Sequence, residues 1–291
     1  MTLLRRFVSG LLVLLFAVLL PAAIASAWLD RVVTDTDAYV DTVTPLADET
    51  QVQQAVADKV TAVAVRQVRS KIPAAIAQKA VDAAAQRVVT SREFPDLWAQ
   101  INRTMHRKLV KVLSQDSGPT DVSVDLGPVL RSTLDALGAK NLLKKGATDA
   151  LPPVQFSVAD SSELERARST YAAIDDTGLW LPVATLVVGL LAVAVTPLRR
   201  RALALMAVLG FVTCGLELLG LAGFRSLLGS AADPGEQRDF TLAVWDALAA
   251  DLRWWLVIAL IVCALVAVVS LVLPRVRRSA RSDGAGYLGS A

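Results

Sequence analysis

Residues 254–273 read WWLVIALIVCALVAVVSLVL, an unbroken apolar stretch without a single charge. A helix rises ~1.5 Å per residue and a bilayer core is ~30 Å thick, so a run of this length crosses it. Three more runs share the character: Phe7–Leu29, Trp180–Leu198 and Ala202–Phe224. The fold class this predicts is mainly α, with four transmembrane helices. Between the first run and the second lies the long polar stretch 30–178.

Composition agrees. The 291-residue chain is 54% hydrophobic, too apolar for an ordinary soluble protein. The formal net charge of +3 hides an uneven distribution. Arg5 and Arg6, then Arg199–Arg201, then Arg275, Arg277, Arg278 and Arg281 flank the runs, whereas the polar stretch is close to balanced. Bulk charge therefore points to no nucleic-acid partner.

The basic clusters orient the chain. Short loops rich in Lys and Arg stay cytoplasmic, and one topology satisfies all three clusters. Residues 1–6 are cytoplasmic, 7–29 lead out, and 30–178 form an extracytoplasmic domain. Residues 179–198 return, 199–201 make a cytoplasmic turn, 202–224 lead out, and 225–253 form an outer loop or helix. Residues 254–273 return to a basic, partly disordered cytoplasmic tail at 274–291. Trp28, Trp180, Trp254 and Trp255 fall at the outer ends, where the interface favours tryptophan. Run one also resembles a secretory signal, with Ala25-Ser26-Ala27 as a cleavage site. Its apolar character continues through Trp28 and Leu29, long enough to span, which favours a retained signal-anchor.

The exported stretch reads mostly helical. Asp35-Thr36-Asp37 supplies N-cap chemistry for a short helix through Val43. Val52, Val56, Val60 and Val63 repeat at helical spacing, as do Ile72, Ile76, Ala80 and Ala84, with Pro73 in a first turn. Phe94, Leu97, Trp98, Ile101, Met105, Leu109 and Val112 make the clearest amphipathic stripe. Asp121–Leu126 and Val154–Val158 alternate with period two and are able to pair as a small two-stranded element. Ser162 and Glu165 form a capping box for a last helix running through Tyr171 towards the membrane. In 225–253, Asp233-Pro234-Gly235 makes a turn, and a helix from about Arg238 runs unbroken to Pro274. Its narrow polar face, Asp239, Asp246 and Arg253, implies burial or an interfacial position.

Chemistry-bearing residues are few. Glu217 is the only acid within a run, and intramembrane acids often mark ion or proton paths. It shares a stripe with Ala204, Ala207, Gly210 and Cys214, and lies about 10 Å from the outer end of its helix. A structural bond to Arg253 or Arg225 is the plainer reading. Cys214 and Cys263, the only cysteines, sit on small-residue stripes through which spans three and four pack. With no further soft ligands, neither metal nor redox chemistry is expected of them.

Arg103, Arg107 and Lys111, with Lys108 beside them, form a basic face opposite the amphipathic stripe. The face suits an anionic headgroup or acidic envelope polymer, although solvation alone explains it. His106, the single histidine, has no nucleophile to serve. Asp30, Asp35, Asp37, Asp41, Asp175 and Asp176 lack the glycine and terminal Glu of a calcium loop, and capping explains two of them. The sequon Asn102-Arg103-Thr104 falls mid-helix. There is no phosphate loop, zinc motif or catalytic triad pattern, so no cofactor, no metal site and no catalytic residue is expected.

Asp35-Thr36-Asp37-Ala38-Tyr39-Val40, then Thr44-Pro45-Leu46-Ala47 and Val52-Gln53, resemble a family of uncharacterised actinobacterial integral membrane proteins. Phe94 with Trp98, Asp125-Leu126-Gly127-Pro128-Val129, Ser162 with Leu164, and Tyr171 ahead of Trp180-Leu181-Pro182 extend the likeness to the second span. The resemblance implies a plasma-membrane protein with four spans and one exported domain, and no activity. The expected function is non-enzymatic: a multi-pass envelope protein whose exported domain binds a partner protein, lipid or wall polymer. The alternative is a small transporter or transporter subunit using Glu217.

Overall fold

The computed structural model describes residues 2–68, 74–115, 161–196, 199–232 and 235–283. In chain order they form α1 (Thr2–Thr34), α2 (Thr36–Val43), a 3-10 helix (Thr44–Asp48), α3 (Thr50–Val68), α4 (Ala74–Val89) and α5 (Phe94–Leu113). After these come α6 (Ser161–Val195), α7 (Arg199–Ala231) and α8 (Glu236–Asp283). The fold is mainly α, as the periodicities predict. There is no strand among the described residues. The two alternating segments, Asp121–Leu126 and Val154–Val158, and the turn at Pro73 lie outside the described residues.

Four helices are long and apolar enough to cross a membrane: Leu4–Thr34, Glu165–Val195, Arg199–Ala231 and Arg238–Leu271. By length and composition this is a multi-pass membrane protein. Helices α1, α7 and α8 overrun their apolar runs at both ends, whereas α6 starts well before Trp180 and ends at Val195, short of Leu198. Of the segment after Phe224, expected as loop or helix, residues through Ala231 are helical, because Arg225-Ser226-Leu227-Leu228 contains no breaker. Gly235, just ahead of the next helix, has a φ of +119°, one that residues with a Cβ rarely adopt. The following helix continues past Pro274, where the span was expected to end, as far as Asp283. Proline removes one backbone donor but keeps a helical φ. Residues 284–291 of the tail lie outside the described residues. Inside the spans, α1 passes through Pro21 and α6 through Pro182 without ending.

The chain forms two compact units. The span unit comprises Met1–Leu29, Asp176–Phe224 and Ala250–Ala291; the polar unit comprises Asp30–Asp175 and Arg225–Ala249.

In the span unit, small residues set how closely the helices approach. Val13 of α1, Ala192 of α6, and Ala202 and Met206 of α7 form one buried cluster. Cys214 of α7 with Leu252 and Leu256 of α8 form another, covered by Leu20, Ile24 and Trp28 of α1. A Cβ on Gly210 would lie 2.9 Å from Leu20 Cδ2 and 3.2 Å from Cys263 Sγ. Spans three and four thus pack through their cysteine-bearing stripes. Without a hydrophobic driving force in lipid, such close packing is what holds spans together. Ser9 and Thr196 are hydrogen-bonded to each other in the same unit.

In the polar unit, Asp35 accepts from the backbone N–H groups of Asp37 (2.9 Å) and Ala38 (3.1 Å), capping α2 as its sequence predicts. Helices α3 and α4 pack on one another. Ala47, Ala57, Val60, Ala85, Val89 and Phe94 form the main core, overlaid by Val56, Leu97, Trp98 and Ile101. A second cluster joins Val43, Leu46 and Val52 to Tyr39, Trp98 and the apolar face of early α8, including Phe240 and Val244. The narrow polar face of that helix is explained: most of its surface is packed.

Candidate functional site

Three groupings of polar residues stand out. The first surrounds α5. Its buried residues are Phe94, Asn102 and His106, so the core-facing side includes two polar groups that the apolar stripe does not predict. Leu109, expected in the core, is exposed.

Both buried polar groups are satisfied. His106 Nε2 lies 3.2 Å from the Val32 carbonyl at the end of α1, and Nδ1 lies 3.0 Å from the Thr36 hydroxyl. A carbonyl can only accept, so Nε2 carries the proton and Nδ1 accepts from Thr36 in the neutral ring. The imidazole stacks on Tyr39 at 4.3 Å between centroids. The Tyr39 hydroxyl donates to Asn102 Oδ1 (3.3 Å), and Asn102 Nδ2 donates to the Trp98 carbonyl (2.9 Å). Trp98 Nε1 in turn donates to the Val43 carbonyl (2.8 Å). This network ties α5 to α2 and to the end of α1. It also removes Asn102 from the surface, so the sequon is not presented for glycosylation. The missed signal was the i, i+4 spacing of Trp98, Asn102 and His106, which puts all three on one face.

Burial pushes the Tyr39 phenol up and the His106 imidazole down, the latter partly opposed by the Val32 carbonyl and by Asp35. Because the native ring resists protonation and the unfolded one does not, the unfolded state binds more protons below its pKa. Native stability is therefore full above the unfolded value and is lost as pH falls through it. We expect the unfolding temperature in detergent to drop as pH falls below about 6.5, the unfolded imidazole's value, and His106→Gln to flatten that dependence. An unchanged pH profile in the variant would remove His106 as its source.

The second grouping is the basic face of α5. Arg107, Lys108 and Lys111 are exposed. Arg103 is not equivalent to them: its guanidinium is ion-paired with Asp37. One level further along, Arg168 of α6 donates from Nε to the Val112 carbonyl (3.1 Å), satisfying part of the α5 C-terminus. Among the described residues, Arg107, Lys108 and Lys111 are the cations of this face without an ion-pair partner.

The third is Glu217. It stands one turn beyond Cys214 on α7, half-buried, and its Oε2 is buried with no hydrogen-bond partner. One structural partner suggested by sequence is otherwise engaged: Arg225 grips Asp246 through Nε (2.8 Å) and Nη2 (2.7 Å). Asp35 and Asp37 are occupied in capping and in the Arg103 pair. Among the described residues no group of three or more His, Cys, Asp or Glu side chains is placed to hold a metal ion.

No family model matches the chain, and neither does any curated protein or solved structure.

Proposed function

We propose that the chain is a four-span protein of a bacterial plasma membrane, of the actinobacterial type it resembles. Its polar unit lies outside the cytoplasm and acts by binding, not catalysis. The arginine clusters at the inner ends of the spans and the tryptophans at the outer ends support this orientation. Retention of α1 as an anchor is supported by its packing: Leu20 and Ile24 cover the Cys214–Leu256 cluster, so cleavage after Ala27 would remove them from that core.

The observation that carries the binding reading is the exposed cationic triplet Arg107, Lys108 and Lys111. It is mounted on a helix fixed by the Phe94 core and the His106 network. A face of one sign on a helix held by that packing suits an anionic envelope partner. The test uses full-length protein in zwitterionic nanodiscs, offered poly-glutamate or phosphatidylglycerol vesicles. The wild type should retain at least one of them, and Arg107→Glu with Lys111→Glu should retain neither. Equal retention by both proteins would contradict the reading.

A second reading is favoured by one observation, the buried Oε2 of Glu217 without a partner. An unsatisfied carboxyl within a span is a candidate proton or cation relay. Under this reading Glu217→Gln abolishes ion or proton flux in proteoliposomes while leaving assembly intact. A normally assembled variant with undiminished flux would dispose of it.

A further inference from the structure

A groove of about 510 Å³ opens on the polar unit between the 3-10 helix, the start of α3 and the first turns of α8. Leu46, Leu242 and Ala243 give it an apolar floor. Glu49 and Asp239 stand at its rim, both exposed and neither ion-paired among the described residues. A third carboxylate on the wall, Asp246, is neutralised by the two-pronged grip of Arg225. The groove therefore presents two uncompensated negative charges above an apolar surface.

The same unit carries the complement. Arg107, Lys108 and Lys111 project from α5 without an ion-pair partner among the described residues. Their side chains join apolar stems to cationic heads. The stems suit a floor of leucine and alanine, and the heads suit carboxylates at the rim.

We propose that the groove of one chain receives the Arg107–Lys111 face of a second copy. The inference rests on the reading of that face as a docking surface, and it names the partner. The two surfaces differ, so the contact is head-to-tail, and each added copy leaves one groove and one basic face unfilled unless a ring closes. The contact is dominated by exposed charge, and salt weakens it.

Mixing two neutralised variants tests the arrangement. Glu49→Gln with Asp239→Asn disables the groove and leaves α5 intact; Arg107→Gln with Lys111→Gln does the reverse. Full-length proteins in a zwitterionic detergent are sized by light scattering. The wild type should associate, and each variant alone should associate about tenfold more weakly or worse. An equimolar mixture of the two should give dimers and nothing larger, because only one productive contact remains.

A monomeric wild type overturns the proposal, and so does a groove variant that still assembles normally. If the wild type is monomeric yet retains an anionic probe through α5, the inference fails and the binding reading stands. If the α5 variant also retains the probe fully, both fail.

Discussion

Phe94→Ala is expected to unfold the polar unit. The ring is 1% exposed and is the largest side chain in a core otherwise built from Ala47, Ala57, Val60, Ala85 and Val89. Alanine and valine neighbours on helices that already touch have little freedom to collapse into the space it would leave. Truncations of buried Phe cost about 3–5 kcal/mol, comparable to much of the stability of a typical domain. Trp98, whose ring centroid lies 6.2 Å from that of Phe94, would lose a packing partner. Limited proteolysis should cut the variant between α1 and α6 under conditions that leave the wild type whole. Resistance equal to the wild type would show that the core does not depend on Phe94.

Gly210→Val should disrupt the span unit with comparable force. The first added carbon would meet Leu20 Cδ2 at 2.9 Å and the sulfur of Cys263 at 3.2 Å, and valine adds two more carbons, so the two side chains or α7 itself must give way. Overpacking a close contact costs about 1–3 kcal/mol, and here the contact joins three helices. Gly215→Val is the matched control, since a Cβ there meets nothing within 4 Å. The expected result is a broadened elution profile and a lowered unfolding temperature in detergent for the first variant, with the second close to wild type. Cys214 and Cys263 are buried and unpaired, so faster thiol modification would report the same opening directly. Equal behaviour of the two glycine variants would contradict the packing described for α1, α7 and α8.

Much of the architecture was legible because it depends on local pattern. The four apolar runs announce their helices, and Asp35 caps α2 through neighbours two and three residues away. The stripe of Val52, Val56 and Val60 was readable from helical period alone. What escaped depends on distant partners. His106 and Asn102 look like surface residues until Val32, Thr36 and Tyr39 are brought beside them from about 70 positions away. Arg103 reads as equivalent to Arg107 until Asp37 arrives to pair with it. The same holds for the groove, whose Glu49 and Asp239 lie on segments far apart in the sequence. Helix ends were also misjudged, because apolar runs mark where lipid could sit, whereas helices stop only where the backbone turns.

The orientation of the polar unit is the central claim, and native cysteine placement makes it directly measurable. Both thiols are buried in the span unit, so a single introduced cysteine dominates labelling by a membrane-impermeant maleimide. Lys108→Cys, on the exposed face of α5, should label in intact cells. Arg201→Cys, exposed at the start of α7, should label only after the membrane is permeabilised. The opposite pattern, with Arg201→Cys labelled in intact cells and Lys108→Cys protected, would contradict the account.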